Sequence, residues 1–155
     1  AYRMKSMYGE IICDGNHSTY AALHQFFEAK GPHYGMMVSD ALMAKGSPVG
    51  SKFIFGGNEI EIYPDGSAHL TSSKGLAGST LHINEGLRIL IEDALVPVDT
   101  AINACTKNPA TCLGVDDRKG SIKVGMDADI VVLDRDYQVV QTYCMGTPML
   151  EKKAE

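Results

Sequence analysis

Two apolar runs in this chain each end on a side chain able to do chemistry. Met36-Met37-Val38-Ser39-Asp40-Ala41 ends on Asp40, and Glu10-Ile11-Ile12-Cys13-Asp14-Gly15-Asn16-His17 carries His17 a few residues beyond its strand. A carboxylate at the C-terminal tip of a short buried strand is where (β/α) barrels keep their catalytic groups. Two consecutive strand tips can aim His17 and Asp40 into one pocket, which makes an active-site wall the leading expectation. Asp40 by itself could serve as a general base, although the chain offers no evident electrophile for it to work with.

Each of these residues also has a plainer reading. A lone Asp after an apolar strand is more often a turn or cap residue, because its side chain bonds nearby backbone so readily. Asp14 reads as structural, stabilising the turn before Gly15. His17 taken alone is more often a satisfied surface or core group, and His24, His33, His69 and His82 read as surface residues of helix, loop or strand. Gly75-Leu76-Ala77-Gly78-Ser79-Thr80 places glycines just before a helix, where exposed N–H groups can bind an anion or a sugar hydroxyl. The structural alternative there is a tight loop and a helix cap. No H-x-H, H-E-x-x-H or clustered Cys/His motif is present, so the chain has no recognisable metal cage of its own. Cys13, Cys105, Cys112 and Cys144 match no zinc spacing and read as buried free thiols of a reducing cytoplasm.

The elements that must position these groups follow from pattern. Residues 10–13 read as a buried strand. Ser18 or Thr19 caps a helix over residues 20–29 with Leu23, Phe26 and Phe27 on one stripe, and Gly31-Pro32 ends it. A second strand covers 34–39, and strand, helix, strand in that span implies a parallel sheet. Residues 52–55, 59–63 and 68–71 read as an antiparallel meander, separated by the turn signals Gly56-Gly57-Asn58 and Pro64-Asp65-Gly66. Helices return over 81–94, with Ile83, Leu87, Leu90 and Ile91 on one face. Asp99 or Thr100 caps another helix, and a helical turn starts at Pro109 and closes at Gly114. Residues 121–124, 128–134 and 138–143 then read as strands, with Asp134-Arg135-Asp136 as a turn. Residues 151–155 read as a frayed tail.

The 155 residues suffice for a sizeable core. A net charge of −5 with no basic stripe argues against a nucleic-acid partner. No run of about 18 apolar residues is present, which argues against a membrane span. The chain opens Ala1-Tyr2-Arg3-Met4 without an initiator methionine and runs almost directly into a strand; it reads as a piece of something longer.

Five segments, in order, resemble the C-terminal part of the N-acetylglucosamine-6-phosphate deacetylase family of the amidohydrolase superfamily. They are Cys13-Asp14-Gly15-Asn16-His17, Val38-Ser39-Asp40-Ala41, Leu76-Ala77-Gly78-Ser79-Thr80, Thr106-Lys107-Asn108-Pro109-Ala110 and residues 120–132. The last of these is shared by many amidohydrolases, whereas the first three are specific to the deacetylases. The resemblance implies an α/β fold: the last two strands and helices of a (β/α)8 barrel in residues 1–115, with the meander near 52–71 inserted. Antiparallel strands of a small β-sandwich would follow in residues 116–150. A complete barrel needs about 250 residues, so the earlier strands would lie upstream of Ala1.

The implied activity is hydrolysis of N-acetylglucosamine 6-phosphate to glucosamine 6-phosphate and acetate. Asp40 matches the general base, His17 a substrate-binding histidine, and Leu76, Ala77 and Gly78 a loop that closes over the sugar. A divalent metal ion, zinc or iron, would be held by a Glu and two His upstream, so the chain alone is expected to be inactive. The implied partners are the amino-sugar phosphate and a second copy in a cytoplasmic homodimer, with no nucleic acid and no membrane. Alternatives are another amidohydrolase, dihydroorotase- or deaminase-like, and a non-catalytic dimerising remnant of one.

Overall fold

Thr19 stands in extended backbone and its Oγ1 accepts the Ala22 N–H at 3.3 Å, which starts helix α1 (Tyr20–Tyr34). A computed structural model describes Met4 and residues 6–149 of the chain. Leu23, Phe26 and Phe27 are buried on one face of α1, the stripe read from their spacing. Gly31 leaves helical geometry (φ 64°, ψ −171°), but Pro32 restarts a turn that reaches Tyr34. The expected stop at Gly31-Pro32 is therefore a kink, because the fixed φ of proline suits a first helical turn. α1 connects β1 (Gly9–Ile12) to β2 (Gly35–Val38), which pair in parallel with Gly9 opposite Gly35 and Ile12 opposite Val38. A Cβ on Gly35 would meet the Phe27 ring at 2.7 Å, so only glycine lets the helix pack this closely.

The meander forms as expected, from β3 (Lys52–Phe55), β4 (Asn58–Ile62) and β5 (Ala68–Leu70) in one antiparallel sheet. Ile60, Ile62 and Ala68 bury one face against Ala44, with Leu42, Phe53, Leu70 and Ala77 beside them. After β5 the chain doubles back, and the Ala77 N–H donates to the Ala68 carbonyl at 2.9 Å.

The helix expected over 81–94 starts at Ile83 and changes character halfway. α2 (Ile83–Arg88) runs into a π-helical segment, Ile89–Asp93, closed by the Ala94 N–H on the Ile89 carbonyl. The wider turn shifts the phase of the apolar stripe. Ile89 and Leu90 are buried in consequence, while Ile83 stays exposed. α3 (Val98–Cys105) begins after Pro97, one to two residues before the expected cap, since Thr100 is buried inside the helix. α4 (Lys107–Cys112) follows at once, with Pro109 in its first turn and Gly114 at φ 68° after it. Buried Asn108 donates through Nδ2 to the carbonyls of Pro32 and Gly35, at 3.1 and 2.8 Å, and so pins α4 to the root of β2. The largest core gathers Cys13, Leu23, Phe27, Met37, Leu90 and Ala101 between these helices and the parallel pair.

Residues 121–124 are not a strand. Gly120 and Gly125, at φ 81° and 91°, bracket a turn, and Ile122 and Val124 are exposed. Arg118 and Lys119 hold that turn through Asp127, and Lys119 also bonds Asp129. The tail strands are β6 (Ile130–Leu133), β7 (Val139–Cys144) and an unforeseen β8 (Thr147–Pro148), in one antiparallel sheet. Asp134 makes the turn between β6 and β7, its carboxylate accepting the N–H groups of Asp136 and Gln138. The 151–155 tail lies outside the described residues. Among the described residues no helix is long and apolar enough to cross a membrane.

Candidate active site

Parallel pairing in register brings the ends of β1 and β2 side by side, and the loops beyond them share a concavity of about 510 Å³. Glu10, Ile11, Ile12, His17, Ser18, Val38 and Asp40 line it. The two side chains singled out from sequence thus meet on one wall. Glu10 on the same wall escaped the sequence reading. Its only signal is the strand pleat, which carries residues 10 and 12 to one face.

The turn after β1 is built by Asp14. One carboxylate oxygen, Oδ1, accepts the N–H groups of Asn16 and His17, each at 2.9 Å, while Gly15 takes φ 77°. The other oxygen, Oδ2, holds His17 Nδ1 at 2.7 Å. Asp14 is therefore structural, as expected, but it also orients the imidazole and leaves Nε2 as the ring atom available to a ligand. Burial raises the Asp14 pKa, yet the backbone and imidazole hydrogen bonds from His17, with that from Asn16, outweigh it and hold the carboxyl below its ordinary value. Cys13, just before this turn, is fully buried, and burial followed by the nearby Asp14 carboxylate pushes its thiol up to about 12. Burial raises Cys105 to about 11. Cys112 and Cys144, expected to be buried, are exposed, because they sit at the outer ends of α4 and β7.

Asp40 is held differently. It is exposed and stands at φ 48°, a left-handed conformation that costs a non-glycine residue about 1–2 kcal/mol. Its backbone is gripped by Ser79, which is buried. The Ser79 N–H donates to the Asp40 carbonyl at 2.8 Å, and the Ser79 carbonyl accepts the Leu42 N–H at 2.9 Å. The Ser79 hydroxyl donates to the Ser39 carbonyl and accepts the Leu81 N–H.

Leu76, Ala77 and Gly78 lie in the segment that carries this grip. Gly78, at φ 59°, packs so close to the Asp40 carbonyl that a Cβ there would stand 3.0 Å from it. It lines a second concavity of about 500 Å³ bounded by the Asp65–Ser67 turn, α2 and the Asp136–Gln138 turn. The N–H groups of Ala77 and Ser79 are both committed to protein carbonyls, so an anion cradle built from this loop lacks two of its donors.

His69 stacks on Tyr63 and bonds Ser67 and the Lys74 carbonyl, and His24 bonds the Ala94 carbonyl. Both act in packing. Among the described residues no three His, Cys, Asp or Glu side chains converge where a metal ion could be held.

A solved structure of an N-acetyl-D-glucosamine-6-phosphate deacetylase variant from Mycobacterium smegmatis, in complex with N-acetyl-D-glucosamine-6-phosphate, is similar to this chain. The TM-score is 0.88 at 25% identity, over 97% of this chain and 39% of that one. An N-acetylglucosamine-6-phosphate deacetylase of Bacillus subtilis is 37% identical over 94% of this chain and 36% of its own length. An N-acetylgalactosamine-6-phosphate deacetylase of Escherichia coli O157:H7 is 34% identical over 88% of this chain and 35% of its own. The chain spans little more than a third of these relatives. The amidohydrolase family model matches residues 21–149, from the first helix to the last strand. With that extent of match, and paired strand tips to go with it, the chain belongs to the amidohydrolase family.

Proposed function

We propose that this chain is the C-terminal part of an enzyme that removes the acetyl group from N-acetylglucosamine 6-phosphate, giving glucosamine 6-phosphate and acetate. The observation that carries the reading is the meeting of Asp40 and His17 on one concavity at the ends of two parallel strands. Relatives named as sugar-phosphate deacetylases, matched over most of this chain, support it. They give no support to a dihydroorotase- or deaminase-like activity.

On this reading residues 1–115 are the C-terminal part of a (β/α)8 barrel, with β1 and β2 as its last two strands and the meander near 52–71 inserted, and residues 116–150 contribute strands to a small β-sandwich. The Asp40 carboxylate takes a proton from the attacking water and returns it to the leaving amine. His17 contacts the phosphate or a sugar hydroxyl through Nε2, while Asp14 keeps Nδ1. Leu76, Ala77 and Gly78 contact the sugar through groups other than the Ala77 N–H. By the resemblance to the deacetylases, a divalent ion, zinc or iron, would have its ligands upstream of this chain. The exposed valines of β6 and β7 favour a homodimer or cover by upstream strands, and the four free cysteines favour the reducing cytoplasm.

Acetate release from N-acetylglucosamine 6-phosphate tests the reading. The 155-residue chain is expected to be inert, and the same chain extended upstream to the relatives' length is expected to be active. Turnover by the short chain, or none by the extended one, overturns it.

A further inference from the structure

We infer that Ser79 is the positioning residue that fixes Asp40 for proton transfer, and that the meander exists in part to hold Ser79 in place. The inference rests on the reading of Asp40 as the general base and explains how so exposed a carboxylate keeps one geometry.

Asp40 follows the last residue of β2 by two positions, and the pairing to β1 ends at Val38. Its own loop contributes one bond, the Ala41 N–H on the Ser39 hydroxyl at 3.3 Å, and the rest of the hold on its left-handed backbone comes from Ser79. Ser79 engages three successive points around Asp40: the Ser39 carbonyl through its hydroxyl, the Asp40 carbonyl through its N–H, and the Leu42 N–H through its carbonyl. A fourth bond, from the Leu81 N–H to the Ser79 hydroxyl, orients that hydroxyl from the other side. A buried serine that bonds on both sides of a strained residue over-determines its conformation.

The approach also demands Gly78. A side chain there would strike Leu42 at 2.8 Å and the Asp40 carbonyl at 3.0 Å. Flanking residues tie the grip to the meander: Ala77 bonds Ala68, and Thr80 Oγ1 bonds the Gly66 carbonyl at 2.5 Å. The conformation of Asp40 is thereby set by a sheet that contributes no residue to the lining of its concavity.

The test uses the intact protein that carries this chain. Ser79→Ala keeps the backbone bonds possible and removes the hydroxyl. It is expected to lower kcat about 10–100-fold, as misplacement of a reacting group does, with KM changed less than about twofold. A kcat equal to that of the unmodified enzyme overturns the inference. Amide hydrogen exchange in the unmodified protein gives a check that needs no variant. The Ser79 and Leu42 amides are expected to be protected as strongly as those of the β1–β2 ladder, and exchange at open-loop rates overturns the clamp. The two readings fail separately: an Asp40→Asn variant of full kcat sinks the general-base reading, whereas the exchange pattern judges the clamp alone.

Discussion

At the tip of β1 the side chain facing the concavity is held by its own loop. Asp14 caps the turn and grips His17 three residues on, so turn and orientation come from one carboxylate. At the tip of β2 the hold comes from 40 residues away, where Ser79 reaches back to the backbone on either side of Asp40. The first tip is relaxed apart from a glycine at positive φ, and the second carries a strained aspartate. On the proposed reading, the binding side chain is aimed by local hydrogen bonds, whereas the solvent-facing carboxylate has its backbone fixed instead. The difference also divides the costs of failure. Damage at β1 should appear first in stability, and damage at β2 first in catalysis.

The largest expected effect lies at β2. Asp40→Asn in the upstream-extended enzyme should lower kcat by about 10²–10⁴, the usual contribution of a positioned general base. Asparagine tolerates the left-handed region as aspartate does, so the melting temperature should hardly move. A large loss of stability with catalysis preserved would reverse the contrast between the tips.

The next effect lies at β1. Asp14→Ala strands two backbone N–H groups and the His17 ring, and should destabilise the fold by about 1–3 kcal/mol in urea denaturation. The same carboxylate makes part of this stability depend on pH. Its pKa is lower folded than its ordinary 3.8. Its contribution is thus complete above the ordinary value and is lost as the pH falls through the lower folded one. Urea midpoints of the parent and of Asp14→Asn should converge as the pH falls from about 6 to about 3. Midpoints that stay parallel would remove Asp14 from the acid response.

The smallest effect uses Cys13 as a reporter, since it abuts the Asp14 turn. Its thiol, raised to about 12, should resist alkylation at neutral pH while the exposed Cys112 and Cys144 react. Asp14→Asn should speed Cys13 labelling by opening the turn, and Ser79→Ala should not. Equal acceleration in both would show that the two tips share one support.

The legibility of each region follows the same division. Thr19 as a cap, the Leu23-Phe26-Phe27 stripe and the meander turns could be read because each depends on residues a few positions apart. The structure departs from the pattern where backbone geometry overrides side-chain spacing. Residues 121–124 alternate like a strand but have none to pair with among the described residues, and two glycines turn them into a loop. The helix after Leu81 reads as one continuous stripe, but a π-turn lets both Ile89 and Leu90 reach the core. Asp14 reads as a turn residue from its position alone, but its second task stays hidden in the sequence because the His17 ring is free to rotate elsewhere.

What the sequence determined by itself was chemistry and order: which strand tips carry a carboxylate and an imidazole, and which family pattern they follow. Local hydrogen bonding and side-chain periodicity act over a few residues and leave their mark in spacing. The tertiary structure alone decided that Ser79 grips Asp40 and that residues 76–80 serve as a brace beside any contact with a ligand. Several of those bonds join backbone groups that every residue possesses, and the Ser79 and Thr80 hydroxyls could have bonded any nearby carbonyl, so the spacing of residue types does not announce them until folding closes the distance.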